Sequence, residues 1–120
     1  VLGRLDAEHF LGGGLHIDPA LSDQAIRTHL AEPLGLSVKD AALGVLRIIN
    51  NNMALAIASN SVARGIDPRN YSLMAFGGAG PLHGVALGEM IAAKNVISPL
   101  HPGITAAMGL LVTEPRYEFT

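Results

Sequence analysis

The feature that most constrains this chain is a glycine-rich loop that joins a short apolar segment to a helical one. Residues 71–76 are apolar and bounded by turn-forming residues, which predicts a buried strand. Pro81 suits the first position of a helix that the pattern predicts over 81–93. In such a unit a ligand can lie directly on the backbone, and the helix start favours anionic or polar groups. The residues of this glycine loop are Gly77, Gly78, Ala79 and Gly80.

Signals of helix starts and stops divide the chain before this loop. Residues 1–15 are punctuated by glycines, which predicts a plain loop. Asp18 before Pro19 then predicts a helix start, and Pro33 predicts that this helix stops near Ala31. The N-terminal part therefore contains at least one capped helix.

A long second helix follows. Ser37 is a helix cap with Asp40 three residues on, and apolar residues keep to one face over the predicted helix 38–64. Gly65 occupies the place of a left-handed C-terminal cap, and Pro68 prevents the helix from continuing. The end of the long helix is the strongest stop signal in the chain.

The chain after the glycine loop continues the alternation of strands and helices. Residues 95–98 predict a second strand, 101–103 a turn, 104–112 a short helix and 116–120 the start of a third strand. Two helices followed by strand, helix, strand, helix, strand indicate the α/β class. At 120 residues we expect one partial domain spanning 1–120.

Composition excludes several classes of protein. Apolar residues make up 49% of the chain and charged residues only 15%, so we expect some apolar surface to face a partner segment. The net charge of −2 gives no basic stripe for nucleic acid. Because Arg47 and the asparagines at 50–52 interrupt the longest apolar run, we expect no membrane span. With no cysteine and no signal peptide at its start, the chain is expected in the cytoplasm.

On spacing alone, a tight strand-to-helix turn that needs glycine only for steric reasons is one alternative for the glycines, and a nicotinamide-binding loop is another. Gly78, Gly80 and Gly84 echo a dinucleotide fingerprint, but that fingerprint needs an acidic residue about 20 residues on. Residues 98–101 contain no carboxylate, and Pro81 removes one of the amide donors that a pyrophosphate would need. These two departures disfavour a nicotinamide-dependent oxidoreductase.

The glycine loop and its flanks carry a specific resemblance. The central string resembles the signature of the hydantoinase A and 5-oxoprolinase family, and it reads Ala75-Phe76-Gly77-Gly78-Ala79-Gly80-Pro81-Leu82-His83. Flanking matches lie in the same order at 2–5, 10–13, 32–35, 61–69, 101–103 and 107–111. The resemblance covers nearly the whole chain. Together with a start that lacks Met, it suggests a C-terminal fragment of a longer protein.

The resemblance implies both a fold and an activity. The family is similar in fold to actin, hexokinase and the sugar kinases, the ribonuclease H-like ATPases in which two lobes close over ATP. It implies an ATP-dependent hydrolase in which ATP phosphorylates a cyclic amide or imide, such as a hydantoin or 5-oxoproline, before hydrolysis. The implied partner is a hydantoinase B-type subunit or domain. Whether the protein also forms homo- or hetero-oligomers is left open by the resemblance.

Residue by residue, the resemblance implies that four loop residues approach the adenosine side of ATP: Gly77, Gly78, Ala79 and Gly80. His83 is a further candidate for contact with the nucleotide, with helix packing as its alternative role. The phosphate hairpins and the acidic residues that position magnesium are expected outside this chain. The isolated chain is therefore expected to be inactive, with no catalytic residue of its own.

Other roles stay open at this point. His9, His16 and His29 show no metal-ligand spacing with one another, so we expect no metal in this chain. His101 opens a turn before a helix, where its roles are anion binding or, with more weight, the structure of the turn itself. A non-catalytic interaction module that packs through the apolar face of the long helix is one rival. A subunit of an ATP-dependent ketone carboxylase, which resembles the same family, is another.

Overall fold

The computed structural model describes residues 1–114, so the strand expected at 116–120 lies outside the described part of the chain. Two compact units are present, Val1–Asn50 and Asn51–Thr120. The α/β class is confirmed, because helices accompany a two-stranded parallel sheet. The single partial domain over 1–120 stays a prediction.

The first unit is helical after an irregular start. A 3-10 helix, Phe10–Gly13, lies within the expected loop, and α1, Pro19–Ile26, begins as predicted because the Asp18 side chain accepts a hydrogen bond from the Ala20 amide at 2.8 Å. The predicted stop near Ala31 was wrong, since the helical path runs on through a π turn, Arg27–Ala31, and a short α2, Glu32–Leu34.

The π turn explains how the helix passes Pro33. The Glu32 amide bonds to the Arg27 carbonyl five residues back, so the backbone widens just before the proline. Pro33 then lies in the first turn of the short α2, the part of a helix where proline is best tolerated. The helical path ends two residues later at Gly35, which has a φ of 63°.

Helix α3, Val38–Val62, ends at the glycine that the sequence indicates. Gly65 has a φ of 68°, its amide donates to the Val62 carbonyl at 2.9 Å, and the Ile66 amide donates to the Ser61 carbonyl at 2.8 Å. This pair of bonds is the Schellman ending of a helix, and it satisfies carbonyls that would otherwise lack donors. The predicted end at residue 64 is two residues beyond the observed one.

The start of α3 is a reciprocal cap, as predicted. The Asp40 amide donates to Ser37 Oγ at 3.0 Å, and the Ser37 hydroxyl donates to the Asp40 carboxylate at 2.6 Å. We expect Ser37→Ala to lower the free energy of unfolding by about 1 kcal/mol, because one helix-terminal amide loses its acceptor. Chemical denaturation checks this. Ser59→Ala, an exposed serine late in the same helix, is the control and should leave stability equal or higher; equal losses in both variants would contradict the capping role.

Helix α3 is long and apolar enough to cross a membrane, judged by length and composition alone. An 18-residue window of it has a mean hydropathy of 1.4, and 22% of that window is buried. Arg47 and the asparagines at 50–52 thus do not lower the hydropathy as far as expected. Because a core helix of a soluble protein passes the same test, the absence of a membrane span stays a prediction. Among these asparagines, Asn50 is buried, with 8% exposed, and it has an interaction partner.

The second unit holds a small parallel sheet. Strands β1, Ser72–Met74, and β2, Asn95–Ile97, pair with Ser72 opposite Asn95, and α4, Gly80–Met90, connects them. Both the first strand and α4 are shorter than predicted. The strand ladder covers only three residues, and α4 stops early because Ala92 takes a left-handed φ of 51°. A 3-10 turn, Pro102–Ile104, leads into α5, Thr105–Val112, close to the predicted bounds.

Apart from Leu87, the buried apolar side chains among the described residues are all alanines. The buried apolar residues are Ala31, Ala41, Ala42, Ala54, Ala75 and Leu87. By contrast, Leu100 and Leu111 are 89% and 87% exposed, and most of the large apolar side chains of α5 are exposed as well. Apolar surface of this extent is typical of a face that packs against other protein. This exposure agrees with the expectation, made from the composition, that some apolar surface faces a partner segment.

Candidate functional site

The glycine loop leaves the sheet at the carboxyl end of β1. The Ala75 amide extends the ladder by donating to the Ile97 carbonyl at 2.8 Å. Gly77 then takes a φ of 86°, which an L side chain rarely adopts, and its amide donates to the Pro102 carbonyl at 2.8 Å. Gly77 is therefore needed for the shape of the loop, and its amide is already used inside the chain.

Gly78 and Ala79 form the open part of the loop. Both are exposed, and a Cβ placed on Gly78 would meet no atom within 4 Å. Gly78 also has no left-handed φ. Within residues 1–114, neither of their amides donates a hydrogen bond. Two unused donors thus lie at the start of α4, where the helix dipole favours anionic or polar groups.

Gly84 and Gly88 of α4 differ from Gly78, because neither has room for a side chain. A Cβ on Gly84 would lie 2.7 Å from the Ala75 Cβ, and a Cβ on Gly88 would overlap the Val96 side chain. A Cβ on Gly80 would lie 3.7 Å from the Ala75 carbonyl carbon, which is ordinary van der Waals contact. One glycine face therefore lets α4 lie directly on both strands. Sequence reasoning missed this role, although glycines spaced four residues apart within a predicted helix were the available signal.

His83 lies on the first turn of α4, three residues after Gly80. Its side chain is half-buried and takes part in an interaction within the structure. The structure thus places all five predicted site residues on one loop and the helix turn that follows it. Contact of His83 with a nucleotide stays a prediction.

An apolar cavity of about 210 Å³ adjoins the loop within the second unit. Met53 and Ile57 of α3 line it, together with Phe76 before the loop and Gly80 and Leu87 of α4. It is smaller than the roughly 300–1,000 Å³ of a complete small-molecule site. Its walls offer a surface for an apolar or flat group rather than for a charge.

One ion pair of this unit lies in the turn before β1. The Arg69 guanidinium bonds to the Asp67 carboxylate at 2.7 Å, and that hydrogen bond is the main reason that the pKa of Asp67 is lowered. The same contact raises the pKa of Arg69. Residues 1–114 contain no cluster of three or more His, Asp or Glu that could hold a metal ion. The absence of a metal from the whole chain stays a prediction.

The fold and the loop define an α/β unit in which an open glycine loop joins a strand to a helix. The sequence matches the model of the hydantoinase/oxoprolinase family over residues 1–119. The chain belongs to that family, as the resemblance of residues 75–83 indicates.

Named relatives agree with this assignment. The chain is 37% identical over 117 residues to the caprolactamase subunit alpha of Pseudomonas jessenii, covering 98% of this chain and 17% of the relative. It is 34% identical over 119 residues to the acetone carboxylase beta subunit of Xanthobacter autotrophicus, covering 99% of this chain and 17% of that subunit. The chain thus spans about a sixth of the length of these relatives.

The solved structures support the fold directly. The crystal structure of the ATP-dependent caprolactamase from Pseudomonas jessenii matches with a TM-score of 0.83 at 37% identity, over 97% of this chain and 17% of that one. Similarity at this level shows that the order of helices and the small parallel sheet are those of a known family member. The likeness to actin and the sugar kinases stays a prediction.

Proposed function

We propose that this chain forms the adenosine side of the ATP site in an ATP-dependent enzyme that opens cyclic amide or imide rings. One observation carries the proposal. Gly78 needs no glycine for its own backbone angle or for packing within the described residues, and the amides of Gly78 and Ala79 have no acceptor there. Space and donors that the chain does not use itself are what a ligand lying on the backbone requires.

The residues around the loop fit one part of a nucleotide better than the whole of it. The apolar cavity beside Gly80 offers a surface for a flat base. At the start of α4, the helix dipole and the amides of Gly78 and Ala79 can bind polar groups of the nucleotide. No cluster of acidic residues for magnesium is present among residues 1–114. We infer that the phosphate-binding and magnesium-binding residues are supplied by another part of a longer polypeptide, in a ribonuclease H-like pair of lobes.

The reaction that we propose for the whole enzyme uses ATP to activate the ring. The γ-phosphoryl group is transferred to the amide oxygen and ADP leaves. Water then attacks the activated carbon and the ring C–N bond breaks, which leaves an acyl phosphate. A second water hydrolyses the acyl phosphate to the carboxylate and free phosphate. This chain contributes binding and orientation to that sequence, which is how proteins accelerate phosphoryl transfer. The named relatives include an ATP-dependent caprolactamase, and a caprolactam is a cyclic amide.

A second subunit is part of the proposal. Both named relatives are described as subunits, alpha for the caprolactamase and beta for the acetone carboxylase. The exposed apolar side chains of α5 provide surface for further protein. We propose a hydantoinase B-type subunit or domain as the source of the hydrolytic site, in a cytoplasmic enzyme.

An ATP-dependent ketone carboxylase is the second candidate, favoured by the 34% identity to the acetone carboxylase beta subunit. Release of phosphate from ATP by the purified protein with its partner subunit separates the two. We expect 5-oxoproline, hydantoin or caprolactam to stimulate release, and ring-opened product to appear with it. Stimulation by acetone and bicarbonate, with none by the cyclic amides, would establish the carboxylase instead.

A further inference from the structure

We propose that the 101–105 turn is a positioning device for the glycine loop and that Thr105 acts as a positioning residue through it. The identity of the ligand that the loop serves rests on the proposed function. The positioning itself rests on hydrogen bonds between two segments that are far apart in sequence, and it can be tested without a ligand.

The turn is connected to the loop by one backbone bond. The Pro102 carbonyl accepts the hydrogen bond of the Gly77 amide at 2.8 Å. Gly77 has a left-handed φ of 86°. The orientation of its peptide group therefore sets the direction in which Gly78 and Ala79 leave the sheet. The adjacent bond between Ala75 and Ile97 belongs to the sheet, so the link to Pro102 is the last one before the loop opens.

Thr105 determines how the turn presents the Pro102 carbonyl. The neighbouring carbonyl, that of His101, accepts two hydrogen bonds, from the Ile104 amide at 3.2 Å and from Thr105 Oγ1 at 2.9 Å. The 3.2 Å bond is long for an N–H donor, whereas the hydroxyl bond has an ordinary length. Together they close the turn on His101 and fix the peptide planes around Pro102.

A threonine beside the other end of α5 provides a matched control for this hydroxyl. Thr113 Oγ1 donates to the Gly109 carbonyl at 2.7 Å, which is the same bond to the carbonyl four residues back. Thr113 lies just past the end of α5, whereas Thr105 is its first residue. Replacing either threonine by valine removes one hydroxyl bond and keeps the branched shape, but only Thr105 is connected to the loop.

Hydrogen–deuterium exchange of the backbone, measured by mass spectrometry on peptides that contain Gly77, tests the positioning in the purified protein. In Thr105→Val we expect exchange at Gly77 to become about tenfold faster and ATP binding about two- to tenfold weaker, the range for one lost hydrogen bond. Thr105→Ser retains the hydroxyl and is expected to restore both, and Thr113→Val is expected to change neither.

The two readouts separate this inference from the proposed function. Unchanged exchange at Gly77 in Thr105→Val, or an equal change in Thr113→Val, would overturn the positioning role. Faster exchange at Gly77 in a protein that binds no ATP in any form would support the positioning and overturn the nucleotide as its ligand. Faster exchange together with weaker ATP binding, both restored by serine, would support the two proposals together.

Discussion

Gly88→Ala is expected to lower the free energy of unfolding by about 1–3 kcal/mol, the usual cost of forcing extra volume into a packed site. The added Cβ would overlap the Val96 side chain on β2, and a β-branched residue has little freedom to rotate away. Helix α4 must then move off the sheet, and the glycine loop at its start moves with it. Chemical or thermal unfolding of the purified protein measures the loss.

Gly109→Ala provides the matched control. Gly109 is also within a helix, α5, but a Cβ there would meet no atom within 4 Å. Alanine at an open helical position is expected to stabilise the protein by about 0.5–1 kcal/mol. Glycine to alanine is thus expected to lower the free energy of unfolding in α4 and to raise it in α5. If Gly88→Ala were as stable as Gly109→Ala, the close contact of α4 with the sheet would be wrong.

Gly78→Val is the second prediction with a large effect, and it acts on the ligand rather than on the fold. Nothing within 4 Å meets a Cβ at Gly78, so the midpoint of unfolding is expected to stay close to that of the unmodified protein. A ligand lying on the backbone would instead meet the valine. A clash of about 1–3 kcal/mol corresponds to ATP binding that is about 5- to 150-fold weaker.

Gly109→Val controls for this substitution, because it adds the same side chain at an open position far along the chain. We expect it to leave ATP binding unchanged. Weaker binding in both variants would indicate a general loss of structure instead of a site at the loop.

Much of the fold follows from local signals in the sequence. The cap at Ser37 and the left-handed glycine at Gly65 bound α3 because both depend on residues within a few positions of each other. Pro33 was misleading, since a π turn before it lets the helical path continue. A single-residue stop signal cannot show this, because the outcome depends on the hydrogen bonds of the preceding turn.

The helical pattern of the sequence also does not show which asparagine of α3 is buried. Helical spacing places Asn60 close to the apolar stripe of α3. In the structure Asn60 is exposed and donates to the Ala56 carbonyl of its own helix, whereas Asn50 is buried. Helical periodicity shows which residues share a face, but tertiary packing decides how much of that face is covered.

The candidate site shows the same division between local and tertiary information. The position of the glycine loop between strand and helix was predicted from the sequence and is confirmed. The separate roles of its glycines were not predicted. Gly77 is needed for its backbone angle, Gly84 for contact with Ala75, and Gly78 for neither. These distinctions arise from contacts with Ala75, with Val96 of β2 and with the 101–105 turn, which a local sequence pattern does not show.

The central claim is that ATP binds at the open part of the glycine loop, and calorimetric titration of ATP into the protein and into its Gly78→Val variant tests it most directly. Far-ultraviolet circular dichroism and thermal unfolding establish in parallel that both are equally folded. We predict heat of binding for the unmodified protein and its loss, or a marked weakening, in the variant. Equal affinity of the two proteins for ATP would contradict the claim, because a valine side chain at that position would clash with a nucleotide lying on the backbone.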